Sequence, residues 1–226
     1  KVLINHGLTP QEIFFYRFLI AYIGIWAISP KHLFADNLKD ELWLVAGGVF
    51  GGSLYFFTEN TALGITQASN VAFIICTAPL LTTILSLLFY KSEKATKGLI
   101  YGSLLALIGV GLVVFNGSVV LKLSPVGDLL TLLAALSWAF YSLVIKRMTG
   151  RYPTVFITRK IFFYGVLTIL PAFLLHPLQP DFDVLLQPLV LSNLLFLAVL
   201  ASLICYILWN VVLKQLGTMR ASNYIY

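Results

Sequence analysis

Glu59 stands inside a long apolar run, where an ionised side chain needs a partner or a wet cavity. Tyr55, Gly52 and Gly48 precede it at spacings of four, three and four, so on a regular helix all four share one face. That face is mostly small and is expected to point into protein rather than at lipid. Two chemistries fit. Glu59 can hold a proton or a substrate amine in a vestibule, with Tyr55, Asn60 and Asn70 as further candidates for binding or coupling, or it is a structural carboxylate bonded to Asn60, Asn70 or the nearby hairpin. Counting back from Leu63 puts it on the order of 6 Å from a helix end.

A second stripe lies within 126–146. Asp128, Thr131, Ala135, Trp138 and Ser142 recur at spacings of three, four, three and four, with Tyr141 beside them. Such a stripe suits a pathway wall, with Trp138 as a platform for an apolar or cationic group; helix packing is the other reading for Trp138 and Tyr141. Asp128 follows Pro125-Val126-Gly127, where a carboxylate complements a helix N-terminus. Arg17, about two turns after Pro10, is expected to snorkel to the membrane interface; its other use is to bind a substrate carboxylate. Pro79 sits mid-run and removes a backbone donor, so it predicts a kink, with Thr77, Thr82 and Thr83 available to the freed carbonyl. Arg159 and Lys160 read as positive charges at a helix end, and Asn210 and Gln67 as solvated end residues.

The elements that must position these groups are membrane spans. The 226 residues are 59% hydrophobic and 11% charged, with mean hydropathy +0.92, far from the balance of a soluble domain. Seven runs of roughly 20 residues fall at 11–29, 41–63, 66–90, 95–115, 126–146, 155–176 and 188–213, and another starts near Met219. The net charge of +6 carries no aromatic-interleaved basic patch, so it does not suggest nucleic acid. Cys76 and Cys205 lack metal-type spacing and read as apolar filler. His6, His32 and His176 are far apart and are given no role. No P-loop, H-E-x-x-H or G-x-S-x-G motif occurs.

Ten basic residues fall in one set of alternate connections, Lys31 through Arg220, and two, Lys1 and Lys122, in the other. The positive-inside bias therefore places loops 30–40, 91–94, 147–154 and 214–218 in the cytoplasm. Leu63-Gly64-Ile65-Thr66-Gln67-Ala68-Ser69-Asn70 is echoed by Leu216-Gly217-Thr218-Met219-Arg220-Ala221-Ser222-Asn223, with five of eight positions identical. The copies fall on opposite sides, as an inverted repeat requires. More weakly, Thr9-Pro10 through Arg17 resembles Tyr152-Pro153 through Lys160. Gly47, Gly48, Gly51 and Gly52, and also Gly98 with Gly102, have the spacing of close helix contacts.

The run ENTALGITQASNVAFIICTAPLLTTILSLLFYKSE, the glycine-rich GLIYGSLLALIGVGLVVF and the later GDLLTLLAALSWAFYSLVIKR resemble the EamA domain of the drug/metabolite transporter superfamily. Glu93 matches a Glu the family often has after its fourth span, and Pro79 its mid-helix proline. The resemblance implies an all-α polytopic bundle of two inverted five-helix repeats, with 1–117 read as the first, lacking most of its first helix, and 118–226 as the second, lacking its C-terminal helices. The chain opens at Lys1 and stops inside a new apolar run, so it is read as a piece of a ten-helix protein. Implied with it are a cytoplasmic (inner) membrane location and export of small metabolites such as amino acids. No enzyme activity, cofactor, metal or nucleic acid is expected. The expected partners are a small-molecule substrate, the lipid bilayer, a proton if transport is coupled, and a second copy as homodimer. A non-transporting scaffold, or an enzyme of lipid substrates, is the alternative.

Overall fold

A computed structural model describes residues 2–29, 33–90, 96–115, 124–175, 177–178 and 180–225. Glu93, the boundary at 117/118, and the basic residues Lys1, Lys31, Lys91, Lys94 and Lys122 lie outside them, as do His32 and His176. Among the described residues there are only helices and their connections, arranged as a polytopic helical bundle.

The elements are α1 (Val2–Asn5), α2 (Pro10–Ile28), α3 (Leu38–Gly48), α4 (Leu54–Ile65), α5 (Ala68–Ile75), α6 (Ala78–Phe89) and α7 (Lys97–Phe115). They continue as α8 (Pro125–Thr149), α9 (Thr154–Ile169), α10 (Ala172–Leu175), α11 (Phe182–Leu185), α12 (Pro188–Leu195), α13 (Cys205–Leu216) and α14 (Thr218–Ser222). Among the described residues each expected span is largely helical, that at 66–90 with a break at Cys76–Thr77. Pro10–Ile28, Ala68–Phe89, Pro125–Thr149, Thr154–Leu174 and Pro188–Leu216 are long and apolar enough to cross a membrane.

Local chemistry sets the helix ends. Thr9 and Glu12 cap α2 reciprocally: the Thr9 backbone N–H donates to Glu12 Oε2 at 2.9 Å, and the Glu12 N–H donates to Thr9 Oγ1 at 3.4 Å. Asn37 Oδ1 accepts from the Asp40 N–H at 2.8 Å and caps α3. Gly217, with φ of 77°, closes α13 in a conformation that a side chain would strain. The two copies of the repeated octapeptide therefore turn at different places. The second turns at Gly217, whereas the first stays helical through Gly64 and turns at Thr66–Gln67.

Each copy follows a helix that loosens in its middle. α3 passes into α4 through the π-helical segment Val49–Ser53, and α12 into α13 through Phe196–Ile204. A π-turn displaces backbone carbonyls, which inside a membrane must find other donors. Ser137 donates to Phe50 O at 2.8 Å, and the Tyr206 hydroxyl donates to Gly51 O. The break after α5 falls at Cys76–Thr77, with Pro79 in the first turn of α6. Thr77 Oγ1 donates to Ile74 O at 2.7 Å, and Thr83 Oγ1 to Pro79 O at 2.9 Å.

The core lies where α2, α4, α9 and α13 cross. Phe18, fully buried, has its ring within 6 Å of the rings of Phe14, Phe56, Phe162 and Tyr206. Lipid is as apolar as leucine, so such packing rather than water exclusion holds these helices together. Glycines permit the close approach. A Cβ on Gly48 would stand 2.9 Å from the backbone nitrogen of Gly165, and one on Gly51 2.2 Å from the Tyr141 ring. Gly98 and Gly102 differ: among the described residues nothing lies within 4 Å of a Cβ at either, so no close approach there requires a glycine.

The connections sort to two ends as alternate crossings require. The first turn of α3 meets the α8–α9 connection through Asp40–Arg151 at 2.8 Å, and Ser86 Oγ meets Thr218 Oγ1 at 2.9 Å. At the other end Thr66 packs on Gly127, and residues 6–8 lie beside Asp181 and Val184.

Candidate functional site

A chamber of about 730 Å³ opens between α2, α4, α8 and the π-segment and α13 of the last long helix. Its wall includes Arg17, Glu59, Tyr55, Trp138, Tyr206 and Trp209. Four of the crossing elements, α2, α4, α8 and α13, thus place one cation, one carboxylate and these four amphipathic aromatic rings around one space.

Arg17 is 6% exposed. Its guanidinium lies 4.1 Å from the Phe56 ring centroid, a favourable cation–π distance, and Nε donates to Ser202 Oγ at 2.9 Å. Those are its partners among the described residues, and they leave the terminal N–H groups for something else. Burial overturns the expectation that Arg17 snorkels to the interface: Phe56 and Ser202 hold it inside the bundle.

Glu59 accepts one hydrogen bond, from the Tyr55 hydroxyl to Oε1 at 3.1 Å. Neither Asn60 nor Asn70 bonds it, so the structural alternative fails in that form. Glu59 and Arg17 are near enough to attract each other electrostatically. The π-turn explains why the shared face of the sequence reading holds only in part. Gly48 and Gly52 pack against Tyr164 and Phe18, while Tyr55 and Glu59, beyond the turn, face the chamber.

Trp138 is the one member of the α8 stripe in the chamber wall. Its ring lies 5.2 Å from Tyr55, 5.9 Å from Tyr206 and 5.7 Å from Trp209, centroid to centroid. Among the described residues, neither the Trp138 nor the Trp209 indole nitrogen has a hydrogen-bond partner. Tyr141 is fully buried and donates to Asn210 Oδ1 at 2.8 Å, so it packs beneath Trp138 rather than lining the space. Thr131 is also fully buried and donates to Gly127 O at 2.7 Å. Asp128 serves its own helix, with Oδ2 accepting from the Ser124 N–H at 3.2 Å. Asn70, 2% exposed on α5, and Pro79 on α6 lie outside the chamber wall.

Three residues read as peripheral are interior. Asn210 is fully buried and bridges Tyr141 to Thr158 Oγ1, which accepts from Nδ2 at 2.8 Å. Arg159 and Lys160 are 2% and 3% exposed. Arg159 donates to Ser29 O, and Lys160 pairs with Glu41 and donates to Leu33 O at 3.0 Å. A mid-sequence polar residue flanked by aromatics, as in Tyr206-Ile207-Leu208-Trp209-Asn210, was the signal for the α13 wall. Cys205, read as filler, also borders the chamber.

A sequence model of the EamA-like transporter family matches residues 1–115 and 125–226. An uncharacterized transporter of Archaeoglobus fulgidus is 26% identical over 97% of this chain and 75% of its own length. A probable amino-acid metabolite efflux pump of Salmonella typhimurium is 26% identical over 96% of this chain and 73% of that protein. A solved crystal structure superposes with a TM-score of 0.71 at 18% identity, covering 99% of this chain and 79% of the other, a likeness of fold.

Proposed function

This chain belongs to the EamA-like transporter family, and we propose that it is a secondary permease of the cytoplasmic membrane. It exports small amphipathic metabolites, amino acids or related compounds, by alternating access between two inverted repeats, to which 1–117 and 118–226 belong. The observation that carries this reading is the chamber: Arg17 and Glu59 present unused donor and acceptor capacity in an aromatic enclosure. Its volume lies within the roughly 300–1,000 Å³ usual for small-molecule sites.

The roles follow from charge and shape. Arg17 takes the carboxylate of a zwitterion through its terminal N–H groups, and Glu59, oriented by Tyr55, takes the amine or a coupled proton. Trp138, Tyr206 and Trp209 receive an apolar side chain. The chemistry is binding and release, with no bond made or broken.

The test is metabolite export from cells expressing the complete gene, wild type against Glu59→Gln at matched membrane levels. Mass spectrometry of the medium should find an amino-acid-like compound enriched by the wild type and lost in the variant. Equal enrichment by both returns Glu59 to a structural role. No enriched compound in either sinks the exporter reading.

A further inference from the structure

Arg17 and Glu59 also border a second, smaller cavity. It has a volume of about 280 Å³ and lies between α1, α2, α4 and the last long helix. Ile13, Leu63 and Phe196 form its apolar wall. Ile13 is close to the start of α2 and Leu63 to the end of α4, so this cavity sits toward the end where Thr66 meets Gly127. The main chamber extends the other way, to Leu216 and Tyr224. The two charged side chains are therefore a wall common to two spaces on one axis.

Asn60 borders the smaller cavity and not the larger. It is 8% exposed, and its amide nitrogen is buried without a hydrogen-bond partner. A buried donor left without an acceptor is destabilising. Nothing in its own helix supplies one, although Thr58 and Thr61 on either side bond their own backbone at 2.8 and 2.6 Å. Arg17 adds cationic donors to the same cavity, since only its Nε is committed.

We infer that the smaller cavity is a second binding site, for a compact molecule bearing a carboxylate, held by the Asn60 amide and the Arg17 guanidinium. The inference rests on the transporter reading and adds a station to it: a substrate passes Arg17 from the chamber to the outer end, and Asn60 receives its carboxylate there. The volume falls just below the usual range for small-molecule sites, so the ligand is small. Glu59 on the same wall favours a zwitterion over a polyanion, which its charge repels.

The test uses radiolabelled L-alanine in equilibrium dialysis against the detergent-solubilised full-length protein, with and without saturating L-phenylalanine. Phenylalanine occupies the chamber and is followed by quenching of tryptophan fluorescence. The expected result is a component of alanine binding that survives phenylalanine. Asn60→Ala should weaken that component about tenfold or more, the cost of losing one hydrogen bond to a charged group. The same variant should leave phenylalanine quenching unchanged, which also certifies its fold; Asn60→Ser, smaller and polar, is the second variant if Asn60→Ala does not fold. Full displacement of alanine by phenylalanine, no saturable alanine binding, or a surviving component indifferent to Asn60 each overturns the second site. A wild type that binds alanine through Asn60 but never phenylalanine keeps the second site and retires the chamber assignment.

Discussion

Arg17 and Lys160 hold matching places and meet opposite fates. Each is the seventh residue after a proline at the start of a helix, Pro10 for α2 and Pro153 for α9, about 10 Å along it. Both are nearly inaccessible, at 6% and 3% exposed. Around Lys160 the protein answers the charge: Glu41 pairs with it, Leu33 O accepts from it, and the Tyr164 ring lies 4.7 Å away. Glu41 is answered in turn by the Tyr164 hydroxyl and by the Ala35 N–H. Around Arg17 the protein stops short, giving it one hydroxyl and one ring face beside an open chamber. The contrast teaches how to tell a buried charge that builds from one that binds. The first has its valences filled by protein, and the second has them left over where a ligand can enter.

The largest effect is expected from breaking the filled cluster. Lys160→Met leaves the part-buried Glu41 without its cation, and since breaking a fully buried pair costs about 3–5 kcal/mol, a loss toward the lower end of that range is expected. Thermal unfolding in detergent should show that loss, and Lys160→Met combined with Glu41→Leu should restore most of it, because an apolar pair replaces an ionic one at little cost. A double variant as unstable as the single one would mean that Lys160 matters chiefly through Leu33 and Tyr164. The matching change on the other side behaves differently. Arg17→Gln should cost about 10- to 100-fold in export, the worth of charged hydrogen bonds to a ligand, with an unchanged melting temperature. If instead it melts early and exports normally, the two arginine and lysine sites are alike and the comparison fails.

How much of this was legible in the sequence follows from what each signal encodes. Span positions came from length and hydropathy, and the helices meet them within a few residues, as with 188–213 against Pro188–Leu216. Glu59 and Trp138 were legible because a carboxylate or a polar-edged ring inside an apolar run has few explanations. Arg17 was found but misplaced: sequence gives its distance from a helix end, whereas Phe56 and Ser202, from two other helices, decide where its side chain goes. Asn210 and the Arg159–Lys160 pair were misread for the same reason, since their partners Tyr141, Ser29 and Glu41 are distant in the chain. The π-turn at Val49–Ser53 was invisible to a count of 3.6 residues per turn, and it rotates Gly48 away from the Glu59 face.

A smaller effect sharpens the chamber side. Trp138→Leu removes one ring from the wall but leaves both charges. Phenylalanine binding should weaken about 3- to 10-fold, in line with the 0.5–1.5 kcal/mol of an aromatic contact. The binding of alanine, with no large side chain, should hardly change. Equal losses for both ligands would show that Trp138 acts by positioning Tyr55 and Glu59 rather than by touching the side chain.

The smallest effect belongs to the rim of the filled cluster, where Asp40 meets Arg151 outside the apolar span. Burial of Asp40 opposes its ionisation, but hydrogen bonds from Asn37, Arg151 and Tyr152 outweigh it and hold the carboxyl below its ordinary range. A lowered folded-state pKa adds stability above the unfolded value of about 4, and that stability is lost as pH falls through the folded value. Asp40→Asn should therefore melt earlier than the wild type at neutral pH, and the two curves should converge on acidification below about 4. Arg151 is 53% exposed, so added salt should narrow the neutral-pH gap, whereas the buried Lys160–Glu41 pair should scarcely respond. A gap that persists in acid would mean that Asp40 works through the geometry of the Asn37 cap and not through its charge. The filled cluster would then be a matter of shape at its rim and of charge only at Lys160.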